Sequence, residues 1–181
     1  GKPFDSLWCC TGTGSEEYAK LTDTIYFHDD DSLYVNLYVD SQLEWPEKGF
    51  RFRQETRFPE QQGTTITISA DTPRPLTINV RIPYWVQRGG VKLNGTSLPA
   101  FASPGSYLSL NRTWKSGDKI ELNLPMDLHV EPMPDNEAIQ AVMYGPLVLA
   151  GTFDVVPKEM SYGNFEPKPE AQKKVPDIIA D

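Results

Sequence analysis

The sequence has two cysteines, Cys9 and Cys10, and they are neighbours. Adjacent residues close a disulfide only through a small strained ring, so no disulfide framework holds this chain. Histidine is scarce too. His28 and His129 are the whole supply, and neither has a cysteine or histidine at metal-ligand spacing. Both read as ordinary turn residues. Basic charge is short, with 17 Lys and Arg against 25 Asp and Glu, for a net charge of -8. That balance excludes a phosphate backbone as the expected partner. No apolar run approaches the roughly 20 residues that cross a bilayer as a helix. No basic-then-apolar opening marks a signal peptide. Gly1-Lys2-Pro3 reads as a cut edge with the native start upstream, so the compartment stays open, a periplasmic or secreted bacterial enzyme included.

What is present is alternation. "FRFRQETRF" sets Phe50 and Phe52 on one face, with Arg51, Arg53, Glu55 and Arg57 on the other. "TTITISA" aligns Ile66, Ile68 and Ala70. "PLTINVRIP" puts Leu76, Ile78, Val80 and Ile82 inward, and "DKIELNLP" does the same with Ile120, Leu122 and Leu124. "SLYVNLYV" reads as one strand with Leu33, Val35, Leu37 and Val39 inward, and Tyr34, Asn36 and Tyr38 outward. One apolar face per strand is the pattern of antiparallel sheets stacked face to face. Turn residues punctuate the runs. Asn94-Gly95 predicts a tight hairpin, and "SPG" at 103–105 and "KSGD" at 115–118 predict turns. Strands do not alternate with helices, so a doubly wound parallel sheet is excluded. The expected fold is an all-β, jelly-roll-like antiparallel β-sandwich over residues 24–152.

Three segments differ. "GSEEYAKLTDTIYF" predicts a helix of about two turns, capped by Ser15 with Glu16 and Glu17 in its first turn. "AIQAVMYGPLVLAG" is apolar on both parities and predicts two buried strand segments, kinked or bulged at Gly145-Pro146. Residues 153–181 carry many prolines and charges and read as a linker or the start of a further domain.

The residues that flank the cysteines carry a likeness. "WCCTGTGSEEYAKLTDTIYF" resembles a segment of the family catalogued as domain of unknown function 1680, grouped around glycoside hydrolase family 127, the β-L-arabinofuranosidases. "SLYVNLYVDSQLEW", "NVRIPYWV", "VKLNG", "LNRTWKSGDKIELNLPM" and "AVMYGPLVLAG" follow in the family's order, so the resemblance covers about residues 7–152. It implies an (α/α)6 catalytic barrel upstream, with residues 1–23 its last remnant and β-sandwich domains after it. It also implies that Cys9 is a nucleophile and zinc ligand and that Cys10 is a second zinc ligand. A barrel glutamate and a third cysteine would complete the metal site, and an acid/base would come from the barrel. None of these has a counterpart in this chain. Thr11-Gly12-Thr13-Gly14-Ser15-Glu16 follows the cysteines where the characterised arabinofuranosidases have a Pro-Pro-Asn type of stretch, as in another branch of the family.

The chemistry is coherent. Zinc favours the thiolate, which would attack an anomeric carbon, and water would then release the sugar with net retention. The expectation is a non-catalytic sandwich portion of a retaining glycosidase acting on plant-type glycans. Its partners would be the barrel of the same polypeptide and a carbohydrate. Zinc would bind in the intact enzyme alone, and the isolated chain would be inactive. The rival reading is a self-sufficient carbohydrate-binding module that presents Trp45 or Trp85, with Trp114 opening a turn. The face of Tyr34, Asn36 and Tyr38 reads as a surface for packing on the barrel rather than for glycan. Other motifs are weak. Asp29 to Asp31 lack the spacing of a calcium loop. "TGTGS" lacks the lysine of a nucleotide loop. Asn94-Gly95-Thr96 and Asn111-Arg112-Thr113 match the glycosylation sequon in form alone.

Overall fold

The structure is a computed structural model and describes residues 9–99 and 101–151. The described residues up to Leu149 form one compact unit. The prolines and charges read as a linker lie outside the described residues.

Two sheets make a sandwich. The four-stranded sheet contains β1 (Tyr26–His28), β2 (Ser32–Val35), β6 (Arg74–Ile82) and β9 (Ser106–Trp114), side by side in that order. The six-stranded sheet runs β3 (Ser41–Trp45), β4 (Phe50–Glu55), β5 (Gly63–Ala70), β10 (Lys119–Asn123), β7 (Gly90–Leu93) and β8 (Thr96–Ser97). Pairings are antiparallel except β2 with β6, which run parallel. A parallel pair needs a crossover, and here β3, β4 and β5 supply it by passing through the opposite sheet.

The core lies where alternation places it. Phe50, Phe52, Ile66, Ile68, Leu76, Ile78, Val80, Ile82, Ile120, Leu122 and Leu124 are all buried between the sheets. Each removes apolar surface from water, at about 1.5–3 kcal/mol for a large aliphatic or aromatic side chain. Asn94 and Gly95, with φ of 52° and 80°, close the two-residue turn between β7 and β8, as a turn with two left-handed central residues requires.

Alternation fails at residues 36–39. Leu33 and Val35 point inward, but Tyr38 is buried, while Val39 is exposed and Leu37 only half-buried. The amides of Asn36 and Leu37 both donate to the carbonyl of Ile25, at 2.9 and 3.3 Å. Two residues facing one carbonyl make a bulge that shifts the side-chain phase by one. Strand β2 therefore ends at Val35, and the chain crosses to the other sheet as β3. Tyr38 faces the core rather than sharing a surface with Tyr34. Gln54, fully buried in β4, holds this crossover: its amide donates to the carbonyls of Leu37 and Val39 at 3.0 and 2.9 Å.

Beyond the sandwich, β11 (Leu128–Met133), β12 (Asn136–Tyr144) and β13 (Leu147–Val148) form a separate antiparallel sheet. The two strand segments expected around Gly145-Pro146 are there, but the joint is a full reversal, pairing Tyr144 with Leu147. Gly145 adopts φ 55°, and proline follows it. The expectation of burial is overturned. Ile139, Leu147, Val148 and Leu149 are exposed, as are Leu128, Val130 and Met133 across the sheet. Met143 alone of the apolar side chains here is buried, and Tyr144 packs on the sandwich core and accepts a hydrogen bond from Gln62 at 2.9 Å. An apolar pattern on both parities suits a sheet covered on both sides, and the described elements meet this one only in part, at His129, Met143 and Tyr144. His129 sits within β11 rather than in a turn.

Helix α1 spans Cys9–Lys20, followed by a short 3-10 turn over Leu21–Thr24. It already includes Cys9, six residues before the expected cap at Ser15, so Ser15, Glu16 and Glu17 are interior helical residues. Its described residues are exposed except for half-buried Gly14, and none joins the core.

Candidate functional site

Cys9 and Cys10 occupy the first turn of α1, and both are exposed. Their Sγ atoms are 3.9 Å apart. Two thiolates on one tetrahedral zinc, each about 2.3 Å from the metal, lie roughly 3.8 Å apart. The pair thus fits one edge of a zinc site. No group of three or more metal-ligating side chains occurs among the described residues. Glu16 is taken up in an i,i+4 ion pair with Lys20, and Glu17 is exposed. The described part of the chain therefore brings Cys9 and Cys10 together, and no further metal-ligating side chain joins them.

The other singled-out residues have structural roles. His28 lies against Trp45, with ring centroids 4.8 Å apart. His129 Nδ1 lies 3.3 Å from the carbonyl of Asp127, and Nε2 lies 3.5 Å from Glu131. Asp29 closes its own turn: Oδ1 accepts from the Asp31 amide and Oδ2 from the Tyr34 hydroxyl, at 3.0 and 3.1 Å. The Asp31 amide leads the interactions that hold its carboxyl below the usual range. Asn94 donates to Asp118 at 2.9 Å and accepts from the Lys119 amide at 2.8 Å. Its amide is engaged in a turn and is not free to take a glycan. Burial pushes the Asp118 carboxyl up, but the Lys115 amide and Asn94 outweigh it and hold the group below its ordinary value.

Among the described residues, the tryptophans do not form sugar platforms. Trp45 and Trp85 are each 8 % exposed and Trp114 is fully buried. Trp85 stacks on Phe58 at 6.0 Å, and Trp114 Nε1 donates to the Leu76 carbonyl at 2.9 Å. Large aromatics here close the ends of the core. A cavity of about 500 Å³ opens beside Trp45, between Phe27, His28, Asp30 and Lys48. Lys48 sits 6.0 Å from the Trp45 ring and donates to the Asp30 carbonyl, so the chain's own cation takes the aromatic face.

A family profile described as "Beta-L-arabinofuranosidase, GH127 middle domain" matches residues 32–126, just over half of the chain. The chain belongs to the GH127 β-L-arabinofuranosidase family. The GH127 match ends at Met126, the last buried residue of the sandwich core. Solved structures agree. A GH127 β-L-arabinofuranosidase from Geobacillus stearothermophilus T6 is 28% identical with a TM-score of 0.69, covering 82% of this chain and 25% of its own. A structure described as a glycoside hydrolase is 28% identical with a TM-score of 0.72, over 81% of this chain and 26% of that one. A GH127 β-arabinofuranosidase matches at 28% identity and a TM-score of 0.69. The chain spans about a quarter of the length of these relatives. No curated protein matches it.

Proposed function

We propose that this chain is the β-sandwich portion of a retaining exo-glycosidase that acts on plant-type glycans, with Cys9 the nucleophile of the whole enzyme. The observation that carries the reading is the exposed thiol pair at 3.9 Å, set just ahead of a GH127 middle domain. Residues 1–23 are then the end of a catalytic barrel, and the exposure of α1 reflects the loss of its neighbours. The apolar third sheet supplies the surface on which the rest of the polypeptide packs.

In the whole enzyme, Cys9 and Cys10 would hold zinc together with ligands from the barrel. Bound zinc supplies the positive charge that keeps sulfur in its thiolate form. The Cys9 thiolate attacks the anomeric carbon, a carbon–sulfur bond forms, and the glycosidic carbon–oxygen bond breaks. An acid from the barrel protonates the departing oxygen. Water, deprotonated by the same group, then attacks the anomeric carbon and frees the thiolate, so two inversions give retention. The β-L-arabinofuranoside is the substrate the relatives' descriptions favour.

The isolated chain has a thiol but neither the acid nor a pocket around it, and these supply most of the rate. Assay of this chain and of the protein extended upstream from its gene, on 4-nitrophenyl arabinofuranosides, tests the reading. The chain should show no turnover and hold no stoichiometric zinc, and the extended protein should show both. Turnover by the chain alone overturns the proposal. The self-sufficient module presenting Trp45 or Trp85 has lost its platforms to the core and is not favoured.

A further inference from the structure

The two outer faces of the sandwich differ in chemistry. The six-stranded sheet turns Arg51, Arg53 and Glu55 of β4, and Lys119 and Glu121 of β10, away from the core. Arg53 and Glu55 pair there at 3.1 Å. That is an ordinary solvated surface of mixed charge. The four-stranded sheet turns out aromatic rings, amides and hydroxyls instead.

Register makes that face legible. Phe27 lies beside Tyr34, Tyr34 beside Asn79, and Asn79 beside Ser109, in one row across all four strands. In the next row Arg81 lies beside Tyr107. Arg81 also donates to the Asn36 carbonyl at 3.5 Å. The Tyr34 and Tyr107 rings meet edge to face, 5.6 Å between centroids. Phe27 and Tyr107 are exposed and Tyr34 is half-buried. The polar groups are already oriented by one another. Tyr107 donates to Asn36 Oδ1 at 3.0 Å, and Ser109 donates to Asn79 Oδ1 at 2.5 Å.

We propose that this outer face of the four-stranded sheet is a non-catalytic binding surface for a neutral oligosaccharide. Phe27, Tyr34 and Tyr107 would offer rings to sugar faces, and Asn36, Arg81 and Ser109 would meet the hydroxyls. Ligand sites combine aromatic surface with a few fixed polar groups, and this face has both. Its charged groups are one of each sign, Arg81 beside Tyr107 and the Asp29 carboxylate on the Tyr34 hydroxyl, so a neutral ligand suits it better than an ion. A protein partner suits it less. Such a partner would have to match each amide, hydroxyl and guanidinium or leave it buried and unpaired, whereas every sugar ring brings several hydroxyls. The apolar surface that protein packing prefers lies elsewhere, on Leu128, Val130, Ile139 and Val148. The proposal rests on the glycosidase reading for the class of ligand, and on nothing at Cys9.

Titration of the 181-residue chain with arabinotetraose and with xylotetraose, by calorimetry and by amide NMR, tests it. At least one sugar should bind with a dissociation constant of about 1 mM or tighter, shifting amides of β2, β6 and β9. Tyr107→Ala and Tyr34→Ala should each weaken binding about tenfold. Tyr107→Phe keeps the ring, loses the bond to Asn36 and should weaken it less, which separates a lost platform from a disturbed fold. Arg53→Gln, on the opposite face, should leave binding unchanged. Neither heat nor shifts with either sugar at about 10 mM would overturn the proposal. So would shifts that map to other strands, or a face covered by polypeptide in the extended protein. Turnover by that protein alongside such a result would leave the glycosidase reading standing.

Discussion

Replacing Gln54 should unlock the crossover between the two sheets. Its side chain is fully buried, and its amide nitrogen donates to the carbonyls of Leu37 and Val39 at 3.0 and 2.9 Å. Thr64 donates to its Oε1 at 3.4 Å. Gln54→Leu keeps the volume but removes the donor: the Val39 carbonyl still accepts from Ser41 at 2.7 Å and Thr64 still donates to the Glu55 carbonyl at 3.3 Å, while the Leu37 carbonyl loses its partner. At about 1–3 kcal/mol for a buried group left unpaired, the cost should lie in that range. Gln54→Glu should be worse at neutral pH. It sets a carboxylate against two carbonyl oxygens in a buried site, and protonation at low pH restores one donor. Urea unfolding followed by tryptophan fluorescence suits the test, since Trp45, Trp85 and Trp114 all report on the core. With a slope of about 2 kcal/mol/M, the midpoint of Gln54→Leu should fall by roughly 0.5–1.5 M. A shift under about 0.3 M, or a Gln54→Glu protein as stable as the parent at pH 7, would refute the assignment of this side chain as the tie across the bulge.

Other outcomes follow from the same structure. Burial holds the Tyr38 hydroxyl far above its ordinary range and raises Tyr26 as well. Both stay neutral in the fold while the unfolded chain ionises near pH 10, so stability should be level below that pH and fall above it. Denaturation at stepped alkaline pH checks this, and Tyr38→Phe should flatten the fall. Gly145→Ala places a Cβ 2.6 Å from the Met126 side chain at a φ of 55°. It should cost about 2–4 kcal/mol and loosen hydrogen exchange in β12 and β13 before the sandwich. Cys9 and Cys10 should both react with a thiol reagent in the native chain as fast as in urea, and protection of either would contradict their exposure on α1.

Most of the core was readable because its strands are buried on one side only. Phe50-Arg51-Phe52-Arg53 and Leu76 to Ile82 announce both strand and face. The reading slipped where phase is set by something outside the pattern. At Asn36 and Leu37 a shared carbonyl inserts one residue, and no local residue type signals it, so Tyr38 and Val39 exchanged places. At 136–149 the residues correctly called for strands, but their apolar character gave no warning that Ile139, Leu147, Val148 and Leu149 stay exposed among the described elements. Helix α1 was cut short because Gly12 and Gly14 discourage helix by propensity alone. Cys9 and Cys10 drew attention by rarity. Phe27 and Tyr107 did not, since they are 80 residues apart and only the register of β1, β2, β6 and β9 brings them to one face.

We propose that Cys9 is the nucleophile of a larger enzyme whose sandwich this chain forms. The most direct test is turnover by the upstream-extended protein and by its Cys9→Ser variant, on a 4-nitrophenyl β-L-arabinofuranoside, with the anomeric form of the first product read by proton NMR. Serine stays protonated and is a poorer zinc ligand, so the account predicts a loss of at least about 10³-fold, with retained configuration in the parent. A Cys9→Ser protein that turns over at the parent's rate, or a parent that inverts, would contradict it.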